Sequence, residues 1–177
     1  MGMSDRRHGR RIPVFLGVVL PCAAFTLFLG VGRTAAQEAV FLVRHAERLD
    51  QSQDSALSAE GRERAARLAR MLRDAQITAI YVSQYRRTVE TAKPLGDLLG
   101  LPPQPVPADD PDTLLAKLRS LGPRARALVV SHSDRLPVLL KSLGLEQDLT
   151  IPADEYDDLF IVFPQDKTGA RVLRLRY

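Results

Sequence analysis

Residues 39–45 read AVFLVRH, an unbroken apolar run that ends in an arginine and a histidine. A short continuous apolar segment is typical of a strand that is buried on both faces of a parallel sheet. Similar runs follow at 79–82 (AIYV) and 127–130 (ALVV). The first run therefore predicts an interior strand that places Arg44 and His45 at its carboxyl end.

Helical patterns alternate with these strands. Apolar residues recur at helical spacing, and the predicted helices cover residues 59–73, 86–99, 110–121 and 134–143. Two more strands are predicted at 159–163 and 172–177, and the second alternates as an edge strand does. The sequence therefore predicts an α/β fold. We expect a three-layer α/β/α sandwich whose sheet is mostly parallel with an antiparallel edge strand.

Prolines and short polar residues punctuate this pattern. Pro94 should kink the second helix or mark its effective end. Asp110 followed by Pro111 is typical of an N-cap and the first helical position. A proline-rich link at 101–107 separates the two helices, and the five arginines of the first helix are expected to form a solvated face.

The net positive charge of the chain comes from its amino-terminal segment. The chain has 177 residues and a net charge of +4, but residues 1–36 hold five arginines and one acid, which leaves 20 basic and 20 acidic residues in 37–177. A neutral body without a basic run gives no reason to expect a nucleic acid partner. Its length suits one domain.

The first 36 residues are predicted to be an export segment. Four arginines precede a charge-free stretch at 12–32, and Thr34-Ala35-Ala36 offers small residues before a cut at Gln37. The apolar stretch is also long enough to span a membrane, so an uncleaved anchor is the alternative. In both cases the body, 37–177, is expected to be periplasmic or secreted, with membrane contact only through an uncleaved leader.

Cysteine and histidine counts restrict the chemistry of the body. The single cysteine, Cys22, lies in the leader, which excludes a thiolate nucleophile, a disulfide or a Cys-ligated zinc in the body. The body has two histidines, His45 and His132, and both follow an apolar strand directly. The strand at 79–82 leads into Arg86 and Arg87. Because ligands bind beyond the carboxyl ends of parallel strands, these side chains are expected at one rim of the sheet. No metal site is predicted.

Four segments carry a family resemblance. Residues 41–47 (FLVRHAE) resemble the Arg-His-x-Glu/Gly signature of the histidine phosphatase superfamily, which includes the phosphoglycerate mutases and small phosphohistidine phosphatases. Three further segments are similar to the family's helix start, its second arginine segment and its second histidine strand, in that order: 57–65 (LSAEGRERA), 83–92 (SQYRRTVETA) and 129–132 (VVSH). The resemblance implies a phosphoglycerate mutase-like fold and a phosphatase that needs no cofactor.

The resemblance also implies roles for individual residues. His45 is expected to be the nucleophile that forms a phosphohistidine, while Arg44, Arg87 and His132 bind the phosphoryl group. Arg86 is the alternative to Arg87. Substrate contacts are also expected from Arg48 and from Glu47, whose alternative role is a surface salt bridge.

The general acid is the least determined part of the predicted site. The candidates are Asp109, Asp110, Asp134 and Glu155, and Asp109 is preferred because Asp110 and Asp134 fit the starts of helices. The expected activity is hydrolysis of a phosphorylated small molecule or an envelope sugar phosphate. Arg48 and Gln51 differ from the mutase pattern, and the insertion after the second arginine segment is very short. The alternatives are a phosphohistidine-protein phosphatase, a catalytically weak phosphate-binding module and a purely structural anchored domain.

Overall fold

The structure is a computed structural model, and it describes residues 1–2, 39–122, 124–164 and 169–177. The predicted export segment therefore lies outside the described residues, apart from its first two. The body lies within a compact unit at 33–177. None of the helices in the described part of the chain is long and apolar enough to cross a bilayer.

Strands and helices alternate along the body. In chain order the elements are β1 (Ala39–Arg44), α1 (Ala59–Leu72), β2 (Ala79–Val82), α2 (Arg86–Leu99), β3 (Gln104–Pro105), α3 (Pro111–Ser120), β4 (Arg126–Ser131), α4 (Leu136–Ser142), β5 (Asp158–Phe163) and β6 (Arg171–Arg176). They form a single six-stranded sheet among the described residues, with the strand order β3-β2-β4-β1-β5-β6.

The sheet is parallel through four of its six strands. The sheet contains a parallel block, formed by β3, β2, β4 and β1. Strand β5 is antiparallel to both of its neighbours, β1 and β6. One apolar cluster packs α3 and α4 against one face, and a second packs α1 and α2 against the other. The three-layer, mostly parallel architecture is confirmed. Parallel packing brings the carboxyl ends of β1, β2 and β4 to one rim.

Three local predictions differ from the structure. Helix α2 does not end at Pro94 but continues to Leu99, where Gly100 terminates it with a φ of 66°. The proline-rich link contains the two-residue strand β3, because residues 104 and 105 pair with β2. Helix α4 begins at Leu136, since the backbone N–H groups of Arg135 and Leu136 both donate to the carbonyl of His132. Asp134 therefore lies in a turn before the helix.

Candidate active site

His45 lies at the end of β1 and is almost fully buried. Its Nδ1 is 2.8 Å from the carbonyl oxygen of Ala46, and a carbonyl can only accept, so Nδ1 carries the proton. The pKa of His45 is lowered to about 3, mainly by burial and in addition by the nearby His132, Arg87 and Arg44, while the hydrogen bond to Ala46 acts in the opposite direction. The ring is therefore neutral near pH 7, with the lone pair of Nε2 free to attack.

Arg44 is held by the loop that precedes β5. Its Nη1 donates to three carbonyl oxygens, those of Pro152, Ala153 and Glu155, at 3.0, 2.9 and 2.8 Å. The guanidinium also stacks on Tyr156, with 4.0 Å from Cζ to the ring centroid. Its Nε is buried and has no hydrogen-bond partner among the described residues. A buried donor without a partner is costly, so this atom is suited to receive an anionic oxygen.

Arg87 shows the same arrangement on the first turn of α2. Its Nη1 donates to the carbonyl of Gln53 at 2.7 Å, and its guanidinium lies 4.4 Å from the ring centroid of Tyr85. The Nε of Arg87 is again buried without a partner within the described chain. Its neighbour Arg86 is exposed and pairs with Glu90 at 3.1 Å. The structure thus brings Arg87, rather than Arg86, to the site.

His132 follows β4 and lies beside the first histidine. The two ring centroids are 5.3 Å apart. Its Nδ1 is 3.5 Å from Nη2 of Arg87, and its Nε2 is 3.0 Å from the hydroxyl oxygen of Ser83. The pKa of His132 is lowered to about 4, mainly by burial and in addition by the positive charge of Arg87.

These side chains open onto one cavity of about 300 Å³. Its walls include both histidines and four arginines, and they contain one acidic residue, Asp134; the lining residues are Arg44, His45, Arg48, Tyr85, Arg87, Ala108, His132, Ser133, Asp134 and Arg135. Such a surface is strongly complementary to a phosphoryl group. Among the described residues there is no cluster of His, Cys, Asp or Glu side chains that could hold a metal ion.

The preferred general acid, Asp109, is not brought to this cavity. It is exposed in the turn before α3, where its neighbour Ala108 lines the cavity instead. The Asp110 carboxylate caps α3 by accepting from the backbone N–H of Thr113 at 3.0 Å, as predicted. The Glu155 carboxylate binds two arginines of β6. Loop geometry decides which side chain faces the cavity, and among the four candidate acids it is Asp134 that lines it.

Glu47 also differs from its predicted role in substrate binding. Its carboxylate accepts from Nε of Arg64 at 2.7 and 2.9 Å, and it does not line the cavity. Arg64 was expected on a solvated face, yet its side chain is only 14% exposed because it turns toward Glu47. The alternative interpretation of Glu47, a salt bridge, is the correct one, although this bridge is largely shielded from solvent.

Sequence reasoning did not identify three residues of the site. Tyr85 stands between Ser83 and Arg87 in the second arginine segment, and this position directly after β2 was an available signal. Arg135 stands three residues after His132 and lines the cavity, which a strand-end rule could have included. Tyr156 lies in an irregular loop far from every motif, so no local signal marked it.

Comparison with known proteins agrees with this geometry. Residues 40–108 match the model of the histidine phosphatase superfamily (branch 1), a segment that contains Arg44, His45 and Arg87. No curated protein sequence matches the chain. The family match supports phosphatase activity.

Several solved structures share the fold at low sequence identity. The protein histidine phosphatase SixA, complexed with tungstate, is 23% identical with a TM-score of 0.64, over 78% of this chain and 96% of that chain. An alpha-ribazole-5'-P phosphatase from Escherichia coli K-12 is 16% identical with a TM-score of 0.64, over 80% and 97%. A mycobacterial glucosyl-3-phosphoglycerate phosphatase with inorganic phosphate is 15% identical with a TM-score of 0.58, over 79% and 96%. Over residues 40–108 the chain is thus similar in sequence to the histidine phosphatase superfamily, and over most of its length it shares the fold of these phosphatases.

Proposed function

We propose that this protein hydrolyses phosphomonoesters through a phosphohistidine on Nε2 of His45. One observation carries the proposal. The Ala46 carbonyl leaves the lone pair of Nε2 free, and the same cavity is lined by two arginines whose buried Nε atoms lack partners among the described residues. A nucleophile beside unsatisfied cationic donors is the arrangement that phosphoryl transfer requires.

In the first step, Nε2 of His45 attacks phosphorus while the bond to the leaving oxygen breaks. The Nε and Nη2 groups of Arg44 and Arg87 supply four N–H donor atoms to the nonbridging oxygens, and Nη1 of each arginine holds the guanidinium in place. The leaving oxygen takes a proton from a general acid. Asp134, on the wall of the cavity, is our assignment for that acid.

In the second step, water attacks phosphorus and the bond to Nε2 breaks. The Asp134 carboxylate, now deprotonated, accepts a proton from that water, and inorganic phosphate leaves. His45 returns to its neutral form with the proton still on Nδ1. No step consumes a metal or an organic cofactor, and we propose that the reaction needs neither.

For the substrate we propose a phosphorylated small molecule or an envelope sugar phosphate outside the cytoplasm. The leader sequence supports export, and the cavity is open. The family match also supports a phosphate-bearing substrate. The similar structures include phosphatases for alpha-ribazole-5'-P and glucosyl-3-phosphoglycerate and a protein histidine phosphatase. A phosphohistidine protein is therefore an alternative substrate.

A phosphate-binding module without turnover is the second candidate function. It is favoured by one observation: the Asp134 side chain is exposed to solvent, and its carboxylate already pairs with Nε of Arg135 at 3.3 Å. A protein without an effective acid would bind phosphate and leave alkyl esters intact.

Hydrolysis of an aryl phosphate by the full-length protein in excess chelator tests the proposal. We expect turnover in the parent, loss of turnover in His45→Ala, and retention in Arg86→Ala, whose side chain is exposed outside the cavity. Labelled substrate quenched in alkali should yield phosphohistidine only when His45 is present. Phosphate binding without turnover by the folded parent would support the binding module instead, and activity retained in His45→Ala would refute the nucleophile assignment.

A further inference from the structure

A chain of buried hydroxyl groups lies behind His132, on the side away from the cavity. The Nε2 of His132 is 3.0 Å from Oγ of Ser83, which is 2.9 Å from Oγ1 of Thr88. That Oγ1 is 2.8 Å from the carbonyl oxygen of Tyr85 and 3.0 Å from that of Ser83. Ser83 is 3% exposed and Thr88 is fully buried, so neither hydroxyl can rely on solvent.

One placement of protons is consistent with the contacts that run from Thr88 through Ser83 to His132. The two carbonyl oxygens can only accept, so the single hydroxyl proton of Thr88 must point to one of them. Oγ1 of Thr88 is then an acceptor, and the hydroxyl proton of Ser83 must point to it. Oγ of Ser83 is in turn an acceptor, so Nε2 of His132 must carry a proton.

The opposite side of the ring supports this assignment independently. Nη2 of Arg87 lies 3.5 Å from Nδ1 of His132, and a guanidinium N–H can only donate. Nδ1 is therefore the acceptor in the neutral ring. The free protein presents a lone pair, rather than an N–H group, on the face of His132 that looks toward Arg87.

We propose that Ser83 and Thr88 are positioning residues that hold neutral His132 as the Nε2–H tautomer, so that an oxyanion contacts His132 only when a proton is added at Nδ1. The proposal rests on the proposed function in taking a phosphoryl oxygen to be the group that meets His132. A lone pair repels such an oxygen, whereas an added Nδ1–H donates to it. Binding of a dianion must then take up one proton, and a monoanionic phosphate ester can bring that proton itself.

The groups that face His132 explain why this proton is absent from the free protein. The positive charges of Arg87, Arg44 and Arg135 lower the pKa of His132, and His45 acts in the same direction when it is protonated. Asp134 raises the pKa of His132. The ring of Tyr85 packs against His132, with 5.5 Å between the two ring centroids. A bound dianion reverses this balance by offsetting the arginines.

Sulfate is the probe that separates the two sources of the proton, because it stays a dianion throughout the neutral range. Titration calorimetry of the full-length protein in two buffers of different ionisation enthalpy gives the protons taken up. Near pH 7 we expect about one proton per sulfate, with sulfate affinity falling about tenfold per pH unit as pH rises. The affinity for inorganic phosphate should stay constant as pH rises until the phosphate monoanion itself deprotonates, because that monoanion brings the required proton. Sulfate binding without proton uptake would overturn the proposal.

The variant Thr88→Val tests the hydroxyl chain directly. Without the Thr88 acceptor, the Ser83 hydroxyl can turn its proton to Nε2, which leaves the N–H on Nδ1. Proton uptake should fall toward zero and the pH dependence of sulfate affinity should flatten. Thr113→Val, on α3 and outside the cavity, is the matched control and should retain the parental proton count.

A second variant covers the case in which Thr88→Val does not fold. Ser83→Ala removes the acceptor of Nε2–H and should also flatten the pH dependence, while Ser83→Thr keeps a hydroxyl and should restore it. The ¹⁵N shifts of the His132 ring, assigned with His132→Gln, report the tautomer directly. A merely structural role would weaken sulfate binding at every pH without changing the proton count, and that result would refute the proposal.

This test is independent of turnover. Proton-coupled sulfate binding in a protein that does not hydrolyse aryl phosphate would leave the inference standing and remove the proposed function. Turnover with proton-independent sulfate binding would do the reverse.

Discussion

Two sides of the cavity hold the same chemical group in different ways. On the β1 side, which comprises Arg44 and His45, the arginine is 6% exposed and its Nη1 donates to three carbonyl oxygens. On the rim side, which comprises Arg87, Asp134 and Arg135, the Nη1 of Arg87 donates to one carbonyl of an exposed loop. The Nε atom is buried and unpartnered in both arginines within the described chain.

The difference shows that equal roles toward a ligand do not imply equal roles in the fold. Arg44 joins the end of β1 to a loop more than one hundred residues away, and the acids of that loop bind β6. Arg87 is bound to a loop that precedes it by 34 residues. Substitutions on the β1 side are therefore expected to lower the free energy of unfolding, while substitutions on the rim side should lower it little.

Replacing each arginine by methionine separates these roles. Both variants should lose about 10²–10³-fold in kcat/KM for an aryl phosphate, because each removes donors to the charge that develops at the phosphoryl oxygens. Arg44→Met should also lower the free energy of unfolding by about 1–3 kcal/mol, since three carbonyls lose their donor, whereas Arg87→Met should cost less than about 1 kcal/mol. Urea unfolding measures the second effect.

Equal losses of stability in the two variants would contradict the comparison. The exposed Arg86 provides the matched control on α2, because Arg86→Met removes an arginine that points away from the cavity. It should change neither activity nor stability by a large factor.

The sequence could predict the β1 side because strand direction alone determines it. An apolar run buried on both faces has one carboxyl end, and the residues that follow that end lie at the edge of the sheet where ligands bind. This rule locates Arg44, His45 and also His132. Parallel pairing of β1 with β4 then brings the two histidines together.

The rim side could not be predicted in the same way because turns and loops place it. Asp109 and Asp134 both follow a strand of the sheet by a few residues, yet only Asp134 faces the cavity. Glu47 follows the decisive histidine by two residues and still turns to α1. Residue spacing does not encode the backbone angles of a turn, and it gives no sign of a distant partner such as Arg64.

Asp134→Asn tests whether the rim side supplies the acid. For an alkyl phosphate, whose leaving group needs a proton, we expect kcat to fall by about 10²-fold, while an aryl phosphate with a good leaving group should change by less than about threefold. Asp109→Asn is the matched control and should leave both substrates unaffected, since its side chain lies outside the cavity. Parallel losses on the two substrates would show that Asp134 acts on binding rather than as an acid.

Glu47→Gln tests how the chain beyond β1 is fixed. Burial alone would raise the pKa of Glu47, but the hydrogen bonds from Arg64 outweigh it and hold that pKa below its ordinary value. The folded state then binds fewer protons than the unfolded state, so the contribution of Glu47 is complete above its ordinary pKa and is lost as pH falls through the lower folded value. We expect the variant to lose about 1–2 kcal/mol of unfolding free energy near pH 7, and we expect this difference between parent and variant to close in acid.

Asp97→Asn is the control, because it breaks an exposed pair with Lys93 and should cost little unfolding free energy at either pH. A gap between parent and Glu47→Gln that does not depend on pH would mean that shape, rather than charge, fixes this segment beside His45.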